Sequence, residues 1–306
     1  MFANRLTKVY KHIGKWARKQ NITCYRVYDD DMPEFPLAVD LYENIVHVAE
    51  YARGHELEPD EHATWLTAAV EVISKVLEIH PDSIFVKFRE RQKGLQQYER
   101  FARSGAEFIV RENSLRFIIN ASDYLDAGLF LDHRNTRQMV REAASGKRVL
   151  NLFAYTGAFT VYAAAGSAAE TLTVDLSNTY LQWADRNLAL NGFSGPEHRL
   201  LQADVTKWLN DKHKEIWDLI VVDPPTFSNS KRMDGTLDIQ RDHVWLLNRV
   251  LQLLAPGGMA FFSTNKRNFK LDSAEIRAAN ILNIGAQTVP NDFRNKKIHQ
   301  CFKLLV

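Results

Sequence analysis

The most distinctive stretch of the chain is an apolar run that ends in an acid and two prolines. Residues 219–222 are followed by Asp223, Pro224 and Pro225, and an aromatic residue, Phe227, comes two positions later. Proline has no backbone N–H, so carbonyl oxygens near the pair are free to face a substrate, and an aromatic ring offers a surface on which a base can stack. The stretch predicts a site that holds a flat nucleobase beside a carboxylate.

Further acids follow the neighbouring predicted strands. Residues 151–157 place a strand, a tight turn with Gly157 and a helix start in sequence, and Asp175 follows eighteen residues later at the end of the next strand. A carboxylate there can accept hydrogen bonds from both ribose hydroxyls. Asp204 and Asp223 end the third and fourth strands. Because these ends meet at one edge of a parallel sheet, we expect a cofactor site rather than three ordinary helix caps.

The turn at Gly157 indicates which cofactor this is. The Gly-x-Gly-x-x-Gly fingerprint of diphosphate binding is missing, because Ala158 and Thr160 stand where further glycines would admit a pyrophosphate. This disfavours NAD and an oxidoreductase. A sulfonium cofactor has no phosphate and carries a positive centre, which carboxylates and carbonyl oxygens suit. The sequence therefore predicts S-adenosylmethionine.

The elements that must position these residues alternate between strand and helix from residue 148 onward. Predicted strands cover 148–154, 171–176, 199–203, 219–222 and 259–263, and predicted helices cover 160–165, 178–191 and 240–254. Gly257 and Gly258 are expected to end the last helix and start the next strand. A helical stretch is expected from Asp272, and residues 298–306 alternate as a final strand. The pattern predicts an α/β, Rossmann-like domain over 148–306.

The first hundred residues predict a different, smaller α+β domain over 1–105. Residues 5–19 form a basic amphipathic helix, 38–42 and 45–50 form strands, and 64–79 form a second helix. In a predicted strand from residue 85 to 93, the basic residues alternate and share one face, which is expected to be strongly positive. Residues 106–147 are expected to hold connecting strands and a segment that closes over the cofactor.

Composition limits the class of protein. The chain has 306 residues, of which 45% are hydrophobic, so disorder is excluded as its main state. Its 39 basic and 37 acidic residues give a net charge of +2, so an argument for a nucleic-acid partner must rest on where charge lies. Two cysteines, Cys24 and Cys301, are too few for a disulfide scaffold or a cysteine-based zinc site, and a cytoplasmic location is expected. No secretory signal, membrane span or metal site is predicted.

The Asp-Pro-Pro stretch resembles the class I S-adenosylmethionine-dependent methyltransferases, although here the aromatic residue comes one position later. A closer resemblance is to the C-terminal half of the fused bacterial large-subunit rRNA methyltransferases, which methylates guanine N7 of 23S rRNA. It extends over nearly the whole chain. The segments that carry it are 4–6, 14–18, 24–26, 89–94, 124–134, 223–233, 240–243 and 265–267.

The resemblance implies a mostly parallel seven-stranded sheet with an antiparallel last strand, and it implies roles for individual residues. The residues that hold S-adenosylmethionine are Phe130, Asp132, Arg134, Asn151, Phe153, Ala154, Tyr155, Thr156, Gly157, Asp175, Leu176, Ser177, Asp204, Val205 and Asp223. The catalytic group beside the reactive methyl is Asp223, Pro224, Pro225 and Phe227.

The expected partner is 23S rRNA or a precursor of the large ribosomal subunit. In the fused relatives an RNA-binding module and a guanine-N2 methyltransferase domain precede this half. The resemblance therefore implies that N2 activity is absent here. It also implies that this chain associates with a separate domain of that kind. The basic helix, the basic strand and basic loop segments become the candidates for RNA contacts. They are Lys15, Arg18, Lys87, Arg89, Arg91, Lys93, Lys231, Arg232, Lys266 and Arg267.

Chemistry favours N7 but leaves alternatives. Guanine N7 has a lone pair and no hydrogen, so methyl transfer needs alignment and no base, and a carboxylate such as Asp223 can offset the cationic product. Cytosine C5 methylation needs a thiolate, but Ser263 and its neighbours stand where related enzymes carry that cysteine, and both cysteines are expected to be packed side chains. Guanine N2, a non-catalytic rRNA-binding assembly factor and a small-molecule methyltransferase stay open. His243 is expected to orient a loop, touch phosphate or simply pack.

Overall fold

The computed structural model describes residues 1–52, 57–89, 105–228 and 235–306, and the chain forms two compact units. The first unit contains Met1–Ser114, Ile119–Ala127 and Asn291–Arg294. The second contains Leu115–Ile118, Gly128–Pro290 and Asn295–Val306. The segment expected to connect the two domains, 106–147, is therefore shared between the units.

The first unit is a small α+β domain. Its elements are α1 (Phe2–Lys19), β1 (Cys24–Asp29), β2 (Leu37–Tyr42), β3 (Ile45–Tyr51), α2 (Pro59–Leu77), β4 (Ile84–Arg89) and β5 (Glu107–Glu112). The sheet has the order β1-β2-β3-β4, with β4 parallel to β3 and the other pairs antiparallel. Helix α2 begins five residues before the predicted start, because Pro59 is suited to a first turn and Asp60 and Glu61 favour the positive end of the helix dipole.

The second unit is the Rossmann-like domain. Its elements are β6 (Leu115–Asn120, shared with the first unit), α3 (Arg134–Ala143), β7 (Arg148–Leu152), α4 (Ala158–Ala165), β8 (Glu170–Asp175), α5 (Asn178–Leu190), β9 (His198–Gln202), α6 (Val205–Trp208), β10 (Trp217–Val222), β11 (Phe227–Ser228), β12 (Leu237–Asp238), α7 (Ile239–Leu251), β13 (Leu254–Thr264), β14 (Asn280–Asn283), α8 (Gly285–Thr288) and β15 (Gln300–Leu305). Its seven-stranded sheet has the order β14-β15-β13-β10-β7-β8-β9. Strand β15 is antiparallel to both of its neighbours, and the pairs from β13 to β9 are parallel, so the expected fold class is confirmed.

Helices cover both faces of this sheet, because alternate side chains of strand β10 pack against helices on opposite faces. Leu219 and Val221 are buried in a cluster with residues of α3 and α4, and Ile220 and Val222 are buried in a second cluster with residues of α7. Successive residues of a strand point to opposite faces, so a continuous apolar run is what a sheet buried on both sides requires. The core therefore holds the ends of the central strands in fixed positions.

Two details of the predicted elements are wrong. Gly257 and Gly258 lie inside β13 instead of before it, since Leu254 already pairs with Trp217 and Met259 pairs with Leu219. The extra residues form a bulge in which Gly257 adopts a φ of 76°, a region that glycine enters without a Cβ penalty. The helical stretch expected from Asp272 is only a short 3-10 turn, and β14 follows it because pairing with β15 overrides local preference.

No helix among the described residues has the length and apolar character needed to cross a membrane.

Candidate active site

The loop after β7 is a strained, tightly fixed turn. Phe153, Tyr155 and Gly157 have φ values of 57°, 51° and 73°, so two non-glycine residues occupy the left-handed region. Each such residue costs on the order of 1 kcal/mol or more, and the surrounding structure has to hold it there. A Cβ on Gly157 would lie 2.6 Å from the Cβ of Ala184 on α5. The glycine thus lets the loop lie directly on that helix.

Asp175 ties this loop to the end of the neighbouring strand. Its carboxylate accepts hydrogen bonds from the backbone N–H of Tyr155 at 2.9 Å and of Ser177 at 2.8 Å. Burial raises the pKa of Asp175 to about 6, against the opposing effect of these backbone donors. Each carboxylate oxygen can accept a second hydrogen bond, so the group is suited to a ligand with two hydroxyls.

The segment before α3 is bound to the same loop. Thr156 donates its hydroxyl proton to the carbonyl of Gly128 at 2.6 Å, and the buried Asn187 side chain donates to the Thr156 carbonyl at 2.9 Å and accepts from the Ile118 N–H at 2.9 Å. The half-exposed ring of Phe130 lies 5.2 Å from that of Tyr155. Sequence reasoning selected Phe130 and Thr156 but missed Asn187, because an asparagine inside a helix gives no local signal.

The two carboxylate oxygens of Asp204 have different surroundings. Its Oδ1 accepts hydrogen bonds from the backbone N–H and the hydroxyl of Thr206, at 2.9 and 2.6 Å, which caps α6. Its Oδ2 is buried and has no hydrogen-bond partner in the part of the chain that the structure describes. A buried acceptor left without a partner costs about 1–3 kcal/mol, so the atom is suited to a donor on a bound ligand.

Asp223, at the end of β10, accepts a 2.6 Å hydrogen bond on Oδ1 from the hydroxyl of Ser263 on β13. Pro224 is buried, and the ring of Phe227 on β11 is 44% exposed. The adjacent Thr226 hydroxyl contacts the side chain of Asn265. An exposed ring beside a fixed carboxylate is the arrangement that base stacking needs. Ser263 was considered in the sequence only as a position that lacks a thiol, and its contact with Asp223 was missed.

Two histidines that the sequence did not single out lie beside Asp132 and Asp223. His299 Nδ1 donates to Asp132 at 2.9 Å, and its Nε2 lies 2.9 Å from the hydroxyl of Thr288. The His133 ring stacks on that of His299, with centroids 4.5 Å apart and planes inclined by 8°. The sequence signal for His133 was its place between Asp132 and Arg134; His299 had none.

The order of strands brings these groups to one edge of the sheet. The loop after β7 and the acids at or just after the ends of β8, β9 and β10 all lie at carboxyl ends of adjacent parallel strands. From β7 the chain runs to β8 and β9 on one side and then crosses back to β10 on the other side of β7, which makes the end of β7 the switch point where α/β sheets bind ligands. The unpaired Asp204 Oδ2, the Asp175 carboxylate and the close loop at Gly157 fit the adenosine part of a nucleoside cofactor.

Comparison with known proteins decides the class. A sequence model described as S-adenosylmethionine-dependent methyltransferase matches residues 94–291. The chain belongs to this methyltransferase family. The methyltransferase therefore uses S-adenosylmethionine as its cofactor, as the sequence predicted.

Individual relatives agree with this assignment. Ribosomal RNA large subunit methyltransferase K of Neisseria meningitidis is 50% identical over 99% of this chain and 86% of that protein. The K/L protein of Allochromatium vinosum is 50% identical over 99% of this chain, which spans only 42% of its length. The crystal structure of the methyltransferase SMU.776 complexed with SAH has the same fold, with a TM-score of 0.77 at 22% identity over 99% of this chain and 82% of that one.

The basic residues selected from the methyltransferase sequence have different surroundings. Lys15 and Arg18 are exposed on α1, and Arg267 is exposed after β13. Lys87 donates to the Ser122 carbonyl and Arg89 pairs with Asp126, so the strongly positive face expected on β4 is partly neutralised within its own unit. Lys266 pairs with Asp238 at 3.0 Å. Arg91, Lys93, Lys231 and Arg232 lie outside the described residues.

The remaining candidates of the methyltransferase sequence are packed side chains. Cys24 and Cys301 are both buried and not in a disulfide, and burial raises the pKa of the Cys301 thiol well above its usual range. His243 is buried, with Nδ1 donating to the Gln240 carbonyl and Nε2 accepting from the Asp272 N–H, both at 3.0 Å. Its packed interpretation is therefore confirmed, and contact with phosphate is not available to a ring with both nitrogens engaged.

Proposed function

We propose that this chain methylates guanine N7 of 23S rRNA. It does so either as the C-terminal catalytic half of a fused enzyme or as a separate protein that corresponds to that half. The observation that carries the proposal is the 50% identity to a ribosomal RNA large subunit methyltransferase over 99% of the chain. Its site supports this choice, since the Asp223-Pro-Pro stretch and the exposed Phe227 ring suit a flat base. A cytoplasmic location and an assembling large subunit as the partner belong to the same proposal.

In this mechanism the chain acts by position and charge. When bound, S-adenosylmethionine supplies an electrophilic methyl group. The residues Asp223, Pro224, Pro225 and Phe227 hold the base so that its N7 lone pair lies in line with that group, and such alignment provides up to roughly 7–11 kcal/mol of a barrier. N7 carries no proton, so no general base is required. Asp223, fixed by Ser263, offsets the positive charge that the base acquires.

The buried cysteines support N7 over cytosine C5. A C5 mechanism needs a thiolate to attack the ring first. Cys301 lies close to Asp223, and desolvation together with that carboxylate raises the thiol pKa, so the neutral form is strongly favoured. Cys24 belongs to the first unit and is buried.

For the cofactor, we propose that the ribose is held at the end of β8 and the adenine at the end of β9. Asp175 accepts from the ribose hydroxyls, with Leu176 and Ser177 beside it, and Asp204 Oδ2 accepts from the adenine amino group next to Val205. The remaining contacts are made by the loop and the segment before α3. Those residues are Phe130, Asp132, Arg134, Asn151, Phe153, Ala154, Tyr155, Thr156 and Gly157.

This role of Asp175 predicts how cofactor affinity depends on pH. Burial favours the protonated carboxyl below about pH 6, whereas ribose hydroxyls donate to and favour the ionised form, so binding releases a proton there. We expect the affinity to rise between pH 5 and pH 7 and then to level off. Asp175→Asn is expected to bind about 10- to 100-fold more weakly at pH 8 and to lose this pH dependence. Calorimetry measures the affinity and its pH dependence. The matched control is Asp185→Asn, a substitution at an exposed position of α5. An unchanged pH profile in Asp175→Asn contradicts the assignment.

For the RNA, we propose that α1 supplies a large share of the phosphate contacts. Its polar face exposes Lys8, Lys11, Lys15, Arg18 and Lys19. Replacing Lys15 and Arg18 by alanine is expected to weaken binding of 23S rRNA fragments and to reduce the slope of log affinity against log salt by about 2. Lys212→Ala with Lys214→Ala removes two exposed lysines just before β10, at the opposite end of the strand from Asp223, and serves as the control. Equal losses in the two double variants would assign the effect to bulk charge.

The test of the proposed function is the product. The protein is incubated with labelled S-adenosylmethionine and unmodified 23S rRNA, and the nucleosides are identified by mass spectrometry after nuclease digestion. N7-methylguanosine that is lost in the Asp223→Ala protein supports the proposal. N2-methylguanosine or 5-methylcytidine as the product contradicts methylation at N7. Catalysis itself is contradicted if the protein binds the cofactor but yields no methylated nucleoside. This outcome has to hold for rRNA, for precursor subunits and after addition of a separate RNA-binding domain.

A further inference from the structure

His133 occupies an unusual position between two carboxylates. Its Nε2 lies 3.7 Å from Oδ2 of Asp132, the preceding residue, and 3.6 Å from Oδ2 of Asp223, which follows β10. Both distances are within ion-pair range and longer than a hydrogen bond. The imidazole is buried, in a T-shaped contact with the ring of Phe159 and stacked on the ring of His299. The nitrogen is therefore confined to a point from which it faces both acids.

The partners of the ring determine which nitrogen carries the proton. Two ionised carboxylates only accept hydrogen bonds, so the nitrogen that faces them, Nε2, has to bear the hydrogen. Nδ1 is buried and has no hydrogen-bond partner among the described residues, so a proton on it would be an unpaired buried donor. Desolvation lowers the pKa of His133, against the raising effect of Asp223 and Asp132 and together with the lowering effect of His299 and Arg137. The ring is thus neutral at pH 7, with its one N–H aimed between the acids.

A metal ion does not explain this cluster. One ligand atom each from Asp132, His133 and His299 lies within 4.8 Å of the others. The two rings are nearly parallel, however, and imidazole lone pairs lie in the ring plane. Lone pairs in parallel planes do not converge on one ion. The hydrogen bond from His299 to Asp132 also engages the oxygen that a metal would need.

We propose that His133 is a positioning residue that acts through Asp223: its Nε2–H faces both Asp132 and Asp223 and offsets the repulsion between the two carboxylates beside the reacting centre. Without that N–H, the repulsion between the two carboxylates is no longer offset, and Asp223 is no longer held in its place beside the reacting centre. Asp223 then offers less negative charge to a cationic ligand. The proposal rests on the placement of Asp223 in the proposed function, but it concerns charge in the cofactor site and needs no RNA.

The test compares the sulfonium cofactor with its neutral thioether product. S-adenosylmethionine and S-adenosylhomocysteine differ in the methyl group and its positive charge, so the ratio of their dissociation constants measures the negative charge at the site. For His133→Phe we expect the preference for the sulfonium to fall about tenfold. For His133→Gln, whose amide N–H can replace Nε2–H, we expect the same ratio of dissociation constants as in the wild type.

Calorimetry provides these ratios. Equal ratios in the wild type, His133→Phe and His133→Gln overturn the proposal and leave His133 as packing alone. A second measurement covers the case in which His133→Phe does not fold. In wild-type protein with 15N-labelled histidine, the His133 signals, assigned by their absence in His133→Gln, should show a protonated Nε2 and a bare Nδ1 from pH 6.5 to 8. The opposite tautomer or a doubly protonated ring overturns it.

Discussion

Asp223→Asn is expected to lower the rate of methyl transfer by about 100- to 1000-fold while the affinity for S-adenosylhomocysteine changes little. The substitution keeps the size of the side chain and can still accept the hydrogen bond from Ser263, so it removes the charge and little else. Preorganised groups that stabilise charge at a reacting centre have effects of this size when they are removed. Single-turnover rates with 23S rRNA and saturating cofactor measure the chemical step.

A second aspartate of the same strand provides the control for this experiment. Asp218 lies near the other end of β10, where it accepts a hydrogen bond from the backbone N–H of Arg148 at 2.8 Å. Asp218→Asn is expected to reduce stability slightly and to leave the rate of the folded protein unchanged. If both variants lost activity to the same extent, the effect would come from strand β10 as a whole, and Asp223 would have no special part in methyl transfer.

Gly157→Ala is expected to reduce the free energy of unfolding by about 2–4 kcal/mol. Alanine at a φ of 73° is strained, and its Cβ would lie 2.6 Å from the Cβ and 3.1 Å from the Cα of Ala184. The loop has to move away from α5, which also displaces Tyr155 from Asp175. Cofactor affinity should therefore fall together with stability, and urea unfolding and calorimetry measure the two effects.

Two further variants separate strain from collision. Gly146 has a similar φ of 68°, but no atom of the described residues beyond its chain neighbours lies within 4 Å of an added Cβ, so Gly146→Ala is expected to cost only about 1 kcal/mol. In Gly157→Ala, the additional substitution Ala184→Gly removes the opposing methyl group and should recover part of the lost stability. A Gly146→Ala cost as large as that of Gly157→Ala would show that backbone conformation alone accounts for the loss.

Much of the fold could be predicted because its signals are local. The acid at the end of each parallel strand marks one sheet edge, so Asp175, Asp204 and Asp223 could be grouped from the sequence before any contact was known. The alternation of strand and helix likewise gave the order of elements. Each of these inferences needs only the neighbours along the chain and the rule that parallel strands end together.

The parts that could not be predicted depend on distant partners. The contact of Asp132 with His299 joins residues 167 positions apart, and that of Asp223 with Ser263 joins residues 40 positions apart. No local sequence pattern indicates either contact. Lys87 and Arg89 were correctly placed in a strand with a common face, but Ser122 and Asp126 engage them through a later segment. Charge in a sequence therefore identifies a basic strand without indicating what neutralises it.

The position of β15 has a consequence for how the sheet is assembled during synthesis. Strand β14 precedes β15 in the chain yet lies outside it at the edge of the sheet, with β15 between β14 and β13. Strand β14 therefore lacks its partner in the sheet until β15 has left the ribosome. The same late segment delivers His299 to Asp132, so a nascent chain that already contains every strand from β7 to β13 still lacks this part of the site. Pairing over such distances is slow, which makes this the step where a chaperone would have the most time to act.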